Sequence, residues 1–268
     1  MTETVSEVLA LDHPWDSFPA AMMVFDLDDT LAPSKSPLPP EVAGLLVRLL
    51  VRSSVCVISG GRYEQFRTQV LDRLDLPVES RTRLHLMPTC GTQYYRWQDD
   101  AWTRVYAEDL PAADRARVEQ VLLAGATELG LLSDRPWGPV LEDRGSQVTF
   151  SALGQEAPVA AKAAWDPDGS KRSRLQAYAA ARLPDLEVRS GGSTSIDVTR
   201  HGIDKAYGIR KLMEHTHLGP ADLLFVGDRL DVGGNDYPAR TTGVRCVAVT
   251  GWEQTATLLD RLLALPPR

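Results

Sequence analysis

Apolar residues recur along this chain in two rhythms, and the place where one gives way to the other divides it. Met22, Met23, Val24 and Phe25 form a short unbroken apolar run, the pattern of a strand buried on both faces. After a proline-rich loop, PSKSPLPPE, the residues Val42, Leu45, Leu46, Leu49 and Leu50 follow helical spacing. SVCVISGGR then predicts a strand over Val55 to Ile58, a glycine turn and a helix from about Tyr63, and LHLMP predicts a third strand. Strand, helix, strand, helix, strand is the order of a parallel sheet with helices laid on it.

From about residue 91 the pattern changes. QYYRW and the segment around Arg104 to Tyr106 predict strands joined at Asp99 and Asp100, followed by a helix over Ala112 to Leu129. GPVLEDRGSQVTFSAL predicts two more strands meeting near Asp143 to Ser146, and DGSKRSRLQAYAAARL a helix. LEVRSGGSTSIDVT reads as the return of the parallel pattern. Beyond it come a helix from Asp204 to about His215, a strand over Asp222 to Val226, a strand over Val244 to Val249 and a last helix over Glu253 to Leu263. Residues 1–20 show no periodicity and are expected on the surface. The predicted class is α/β: a Rossmann-like parallel-sheet core of residues 1–90 and 188–268, interrupted by an inserted α+β domain over 91–187.

Composition narrows the setting. At 268 residues, 43% of them hydrophobic and 24% charged, the chain can bury a real core and has room for two modest domains. A net charge of −7 argues against nucleic acid or an anionic membrane as a partner. No apolar run approaches membrane-spanning length, and the opening MTETVSEVLALDHPWDSF has no basic region followed by an apolar one, so a cytoplasmic location is the expectation. Cys56, Cys90 and Cys246 are far apart and read as reduced thiols, two of them inside apolar runs. The five histidines show no metal-ligand spacing.

The chemistry gathers at predicted strand ends. The first apolar strand stops abruptly at Asp26, Asp28, Asp29 and Thr30. In open α/β sheets the ligand crevice lies just beyond such ends. Two carboxylates two residues apart there suit a hard cation such as Mg²⁺, with one of them able to attack phosphorus. Ser59, Gly60 and Gly61 offer a hydroxyl and backbone N–H donors at the end of the second strand. Lys205 lies in the first turn of a helix, where a cation gains nothing from the helix dipole. GDRLDVGGND places Asp228 at a strand end, with Asp231, Asn235 and Asp236 beyond it. Taken singly, these have plainer explanations: an acidic turn, a glycine turn, a solvated lysine, a surface loop. All four in this order are much rarer than any one.

In those four motifs the chain resembles the haloacid dehalogenase superfamily of phosphotransferases. The resemblance is nearest to the phosphomannomutase branch and its sugar-phosphatase relatives. It extends through CGTQYYRW, EDRGSQVTFSALG, SGGSTSIDVTRHGIDKAYGI and VGDRLDVGGNDY, and so over nearly all of residues 22–250. It implies that Asp26 is a nucleophile forming an aspartyl phosphate, that Asp28 is the acid and base, and that Ser59 and Lys205 hold the phosphoryl oxygens. It implies Mg²⁺ held by the carboxylates of Asp26 and Asp228 and the main-chain carbonyl of Asp28, with Asn235 and Asp236 in support. The inserted module becomes a cap that closes over the sugar. Arg144, Ser195 and Asp197 match cap and hinge residues that bind the sugar and its distal phosphate, and Lys35 stands where the branch has an arginine.

Two departures bear on the reaction. Gln155 and Lys162 occupy positions of branch arginines, and neither an amide nor an ammonium reproduces a guanidinium fork. A mutase must grip one phosphate while the other reacts, whereas a phosphatase has no need to keep its product. The resemblance therefore implies a Mg²⁺-dependent phosphatase acting on a small phosphorylated sugar, for example mannose 6-phosphate. The alternative is a phosphomannomutase interconverting mannose 1-phosphate and mannose 6-phosphate. Expected partners are the sugar phosphate alone, with no nucleic acid and no membrane, in a monomer or homodimer. A receiver-like phosphate sensor fits less well, since Asp28 and the inserted module have no counterpart there.

Overall fold

A computed structural model describes residues 5–267. In chain order its strands are β1 Val8–Leu9, β2 Met22–Phe25, β3 Ser54–Ile58, β4 Leu84–Met87, β5 Gln93–Gln98, β6 Ala101–Ala107, β7 Leu141–Asp143, β8 Gln147–Ser151, β9 Glu187–Ser190, β10 Ser195–Thr199, β11 Leu223–Gly227 and β12 Arg245–Ala248. The α-helices are α1 Pro40–Arg52, α2 Tyr63–Gln69, α3 Val78–Arg81, α4 Ala112–Glu128, α5 Val159–Trp165, α6 Ser170–Ala180, α7 Lys205–Thr216 and α8 Trp252–Leu263. The chain forms two compact units: one runs to Tyr106 and resumes at Ile203, and the other is Ala107–Gly202.

The first unit is built on an eight-stranded sheet of order β1-β12-β11-β2-β3-β4-β5-β6. Pairing is parallel from β1 to β4 and antiparallel from β4 to β5. Its central strands are buried on both faces, which is why they read as apolar runs without alternation. Met23, Phe25, Val55, Val57, Leu224 and Val226 pack on one side with Val42, Leu46 and Leu49 of α1 and Leu258, Leu259 and Leu262 of α8. Met22, Val24, Cys56, Ile58 and Phe225 pack on the other with Ile209 and Leu212 of α7. From β2 the chain winds outward to β3 and β4, and after β11 it winds the other way to β12. The β2–β11 boundary is therefore the topological switch point, the place where such sheets open a crevice.

The second unit has a four-stranded sheet of order β7-β8-β10-β9, with antiparallel pairing throughout. Val148, Phe150, Ile196 and Val198 line one face and pack with Val118 and Leu122 of α4 and Leu175 and Ala179 of α6. Gln147, Thr149, Ser151, Ser195 and Asp197 alternate with them along the strands and belong to the opposite, polar face.

Both boundaries of the inserted module shift from the expected 91 and 187. β5 and β6 extend the first unit's sheet, because the turn at Asp99 and Asp100 (φ 50° and 58°) folds them into a tight hairpin on the edge of β4. β9 and β10 do not resume the parallel sheet: the Gly191–Gly192 turn pairs them with each other, and β10 adds to β8. Residues 1–20, without periodicity in the sequence and expected on the surface, carry β1, whose Val8 and Leu9 add a parallel edge to β12; residues 1–4 lie outside the described residues.

Candidate active site

Register alone brings three of the four motifs together. Phe25 lies opposite Val57 of β3 and Val226 of β11, so the chain leaves all three strands on one side of the sheet: into Asp26, Ser59 and Asp228. The Asp26 N–H still donates to the Val226 carbonyl at 3.0 Å, fixing the point at which the acidic loop departs. That loop closes on itself, with the N–H groups of Leu31 and Ala32 donating to the Leu27 carbonyl at 2.9 and 3.2 Å and Asp29 in the left-handed region at φ 62°. The fourth motif arrives on α7. Asp204 caps the helix by accepting from the Tyr207 N–H at 2.9 Å, which places Lys205 in the first turn with its side chain directed inward.

Lys205 is 1% exposed, and its Nζ donates to Asp26 Oδ1 at 2.5 Å and to Asp236 Oδ1 at 2.6 Å. Asp236 is fully buried, and its other oxygen accepts from the Arg229 N–H at 3.2 Å. Gly227 is what permits this approach, since a Cβ there would lie 2.4 Å from Asp236 Oδ2. Burial works against the Lys205 charge, but the facing carboxylates of Asp236 and Asp26 override it and hold the ammonium above its ordinary range. Burial pushes the Asp26 carboxyl up, Lys205 opposes the rise and Asp236 adds to it. Asp228 is pushed up to about 6, by burial first and Asp236 second.

Burial comes first for both acids, and beyond it a single buried ammonium stands among three carboxylates, Asp26, Asp228 and Asp236. Asp26, Asp228 and Asp236 can each place an oxygen within 4.8 Å of the others. A compact, all-oxygen set with surplus negative charge matches what a hard divalent cation requires, so these residues fit the Mg²⁺ that the resemblance implies. Asp236, expected only as support, is one of the three converging carboxylates; Asn235 beside it is exposed.

The remaining predicted residues are distributed as follows. Asp28 is half-buried, and its Oδ1 accepts from the backbone N–H of Lys35 at 2.6 Å; the Lys35 residue itself is exposed. Ser59 is 5% exposed, its Oγ accepts from the Gly61 N–H at 3.3 Å, and its carbonyl accepts from Cys90, so Gly60 sits in a turn held from both ends. In the second unit Arg144 donates to Glu142 at 2.7 Å through Nε, Asp197 accepts from Thr149 at 2.6 Å, and Ser195 shares a hydrogen bond with Ser151 at 3.2 Å. Lys162 Nζ donates to the Gln155 carbonyl at 3.1 Å, and Gln155 Nε2 is buried with no hydrogen-bond partner. Glu142 and Thr149 escaped the sequence analysis, although the two-residue spacing of Thr149 from Ser151 already put those two on a shared strand face.

A family model described as eukaryotic phosphomannomutase matches residues 136–264. A phosphomannomutase of Saccharomyces cerevisiae is 25% identical over 228 residues, covering 82% of this chain and 84% of that protein. Human phosphomannomutase 1 is 24% identical, covering 81% of each. Among solved structures, Plasmodium falciparum IMP-nucleotidase superposes with a TM-score of 0.67 at 14% identity, over 92% of this chain and 71% of that one. A haloacid dehalogenase-like hydrolase from Bacteroides thetaiotaomicron gives 0.65 at 15% identity, over 91% and 99%. At these identities the structural likeness is one of fold.

Proposed function

We propose, from the premise that this chain is a phosphomannomutase-like protein of the haloacid dehalogenase superfamily, that it is a phosphatase of hexose phosphates or similar sugar phosphates such as mannose 6-phosphate. The observation that carries the reading is the Lys205 ammonium bridging Asp26 and Asp236 at the switch point, with Asp228 within reach of the same cation.

In this reading Asp26 attacks phosphorus and splits the transfer into two easier displacements. Lys205 fixes its carboxylate and adds positive charge where the phosphoryl oxygens gather it. Ser59 and the backbone of Gly60 supply hydrogen bonds to those oxygens. Asp28, whose carboxylate is outside the converging set, protonates the departing sugar oxygen and then takes a proton from water. Mg²⁺ held by Asp26, Asp228 and the Asp28 carbonyl would cancel repulsion between the two anions as they meet. In the second unit, read as the cap, the polar sheet face with Arg144, Ser195 and Asp197 recognises the sugar.

Hydrolysis is preferred over isomerisation because Gln155 and Lys162 stand where the branch has arginines. The Lys162 ammonium donates to the Gln155 main chain, leaving that corner a poorer clamp for a second phosphate. The names of the relatives favour the second reading, a phosphomannomutase. Incubating the protein with mannose 6-phosphate or mannose 1-phosphate, with and without a hexose 1,6-bisphosphate, separates the two. Release of phosphate without isomer is the expected result; isomer without net phosphate release overturns it.

A further inference from the structure

Threonine hydroxyls in the helices of this protein have a default partner. Thr68, Thr127, Thr216 and Thr257 each donate to the carbonyl four residues earlier, at 3.1, 2.8, 2.7 and 2.9 Å. Thr255, in the first turns of α8, breaks the pattern. It is fully buried, and its Oγ1 donates at 2.6 Å to the carbonyl of Thr30, 225 residues earlier in the chain. Thr30 is fully buried as well, and its own hydroxyl donates to Asp228 Oδ1 at 3.3 Å.

In the loop that carries Asp26 and Asp28, the N–H groups of Thr30, Leu31 and Ala32 donate to the Leu27 carbonyl and that of Asp29 to the Ala32 carbonyl, while the Thr30 carbonyl faces α8. A buried carbonyl left unpaired is costly, so the contact holds Thr30 firmly in one orientation. A hydroxyl proton aimed at one carboxylate oxygen in turn determines which lone pairs of Asp228 remain for a cation. Three segments distant in sequence are thereby joined in one line: α8, the loop after β2 and the loop after β11.

We propose that Thr255 is a positioning residue for the cation site: through Thr30 it sets the Asp228 carboxylate in the orientation that binds Mg²⁺. The proposal rests on the phosphotransfer reading above.

The test is Mg²⁺ binding to the full chain, measured by calorimetry beside the KM for the sugar phosphate and the melting temperature. Thr255→Val keeps the shape and removes the hydroxyl. It is expected to weaken Mg²⁺ binding by about tenfold, the usual effect of losing a group that orients a metal ligand, with KM unchanged. Thr255→Ser keeps the hydroxyl and is expected to stay within about twofold of wild type. Mg²⁺ binding unchanged in Thr255→Val, with only the melting temperature lowered, overturns the proposal and makes Thr255 a packing contact. Where Thr255→Val does not fold, Thr30→Val carries the same expectation, because it removes the hydroxyl facing Asp228 and keeps the carbonyl; unchanged Mg²⁺ binding in that variant is equally decisive against it. A wild-type protein that binds no Mg²⁺ overturns the phosphotransfer reading and the proposal together.

Discussion

The two units organise polar groups in opposite ways. In the first, Asp26, Lys205, Asp228 and Asp236 come from segments up to about two hundred residues apart; Asp26, Lys205 and Asp236 are buried and satisfy one another across the switch point, with half-buried Asp228 converging on them. In the second, Arg144 pairs with Glu142 two residues away, and Thr149 and Ser151 pair with Asp197 and Ser195 directly across one ladder. The first arrangement is a preorganised charge cluster whose parts cannot be removed singly without leaving another group stranded. The second is a sheet face, buried along β8 and half-buried along β10, whose pairs are local and can be exchanged one at a time. In the proposed function, reaction chemistry is assigned to the former and substrate choice to the latter.

The sharpest way to break that contrast is at Lys205. Lys205→Met strands two buried carboxylates, so it is expected to reduce turnover by on the order of a thousandfold or more and to destabilise the fold by about 3–5 kcal/mol. Phosphate-release kinetics and denaturant unfolding measure the two effects. A variant that loses activity and keeps its stability would show that the cluster is less interdependent than the buried geometry requires.

Asp228 gives the next effect. Its carboxyl titrates near 6 in the folded protein and near 3.9 when unfolded, so between those values the folded state holds the extra proton and the residue's contribution to stability falls as pH rises. Asp228→Asn should remove that fall from a series of melting curves. Because Mg²⁺ competes with the proton, the rise in melting temperature on adding it should be larger at about pH 7 than at about pH 5. An equal rise at both places the cation elsewhere.

In the second unit the effects should be smaller and confined to the substrate. Arg144→Ala is expected to raise KM for a sugar phosphate by about tenfold, the scale of one charge-assisted contact, and to leave turnover of a small aryl phosphate within about twofold. Equal losses on both substrates would erase the division of labour. Ser195→Ala, which removes one neutral hydroxyl, should change KM by only a few-fold.

The same contrast explains what was legible in the sequence. Strands buried on both faces announce themselves as apolar runs, and chemistry at their ends falls at fixed places, so Asp26, Ser59 and Asp228 stand out in the sequence itself. The central helices were equally plain: α1 buries the five residues whose spacing predicted it. Lys205 was conspicuous because a cation in a first turn has no local reason to be there. Asp236 reads from the sequence only as a supporting acid, since nothing in GGND reveals that Gly227 clears space for its carboxylate. Thr255 was invisible for a related reason: a helical threonine normally donates within its own helix, and only the fold shows that this one does not. β9 and β10 misled because a double glycine after a strand serves both a strand-to-helix turn and a hairpin. Which one forms depends on a partner strand, β8, that local pattern does not name.

The central claim is that Asp26 carries the phosphoryl group during turnover. Quenching the reaction with Mg²⁺ and a sugar phosphate in acid within one turnover, then locating the added phosphoryl mass by peptide mass spectrometry, tests it most directly. The account predicts a transient phosphorylated peptide containing Asp26 that is absent from Asp26→Asn. Phosphate release without any label on that peptide, or full turnover by Asp26→Asn, contradicts it.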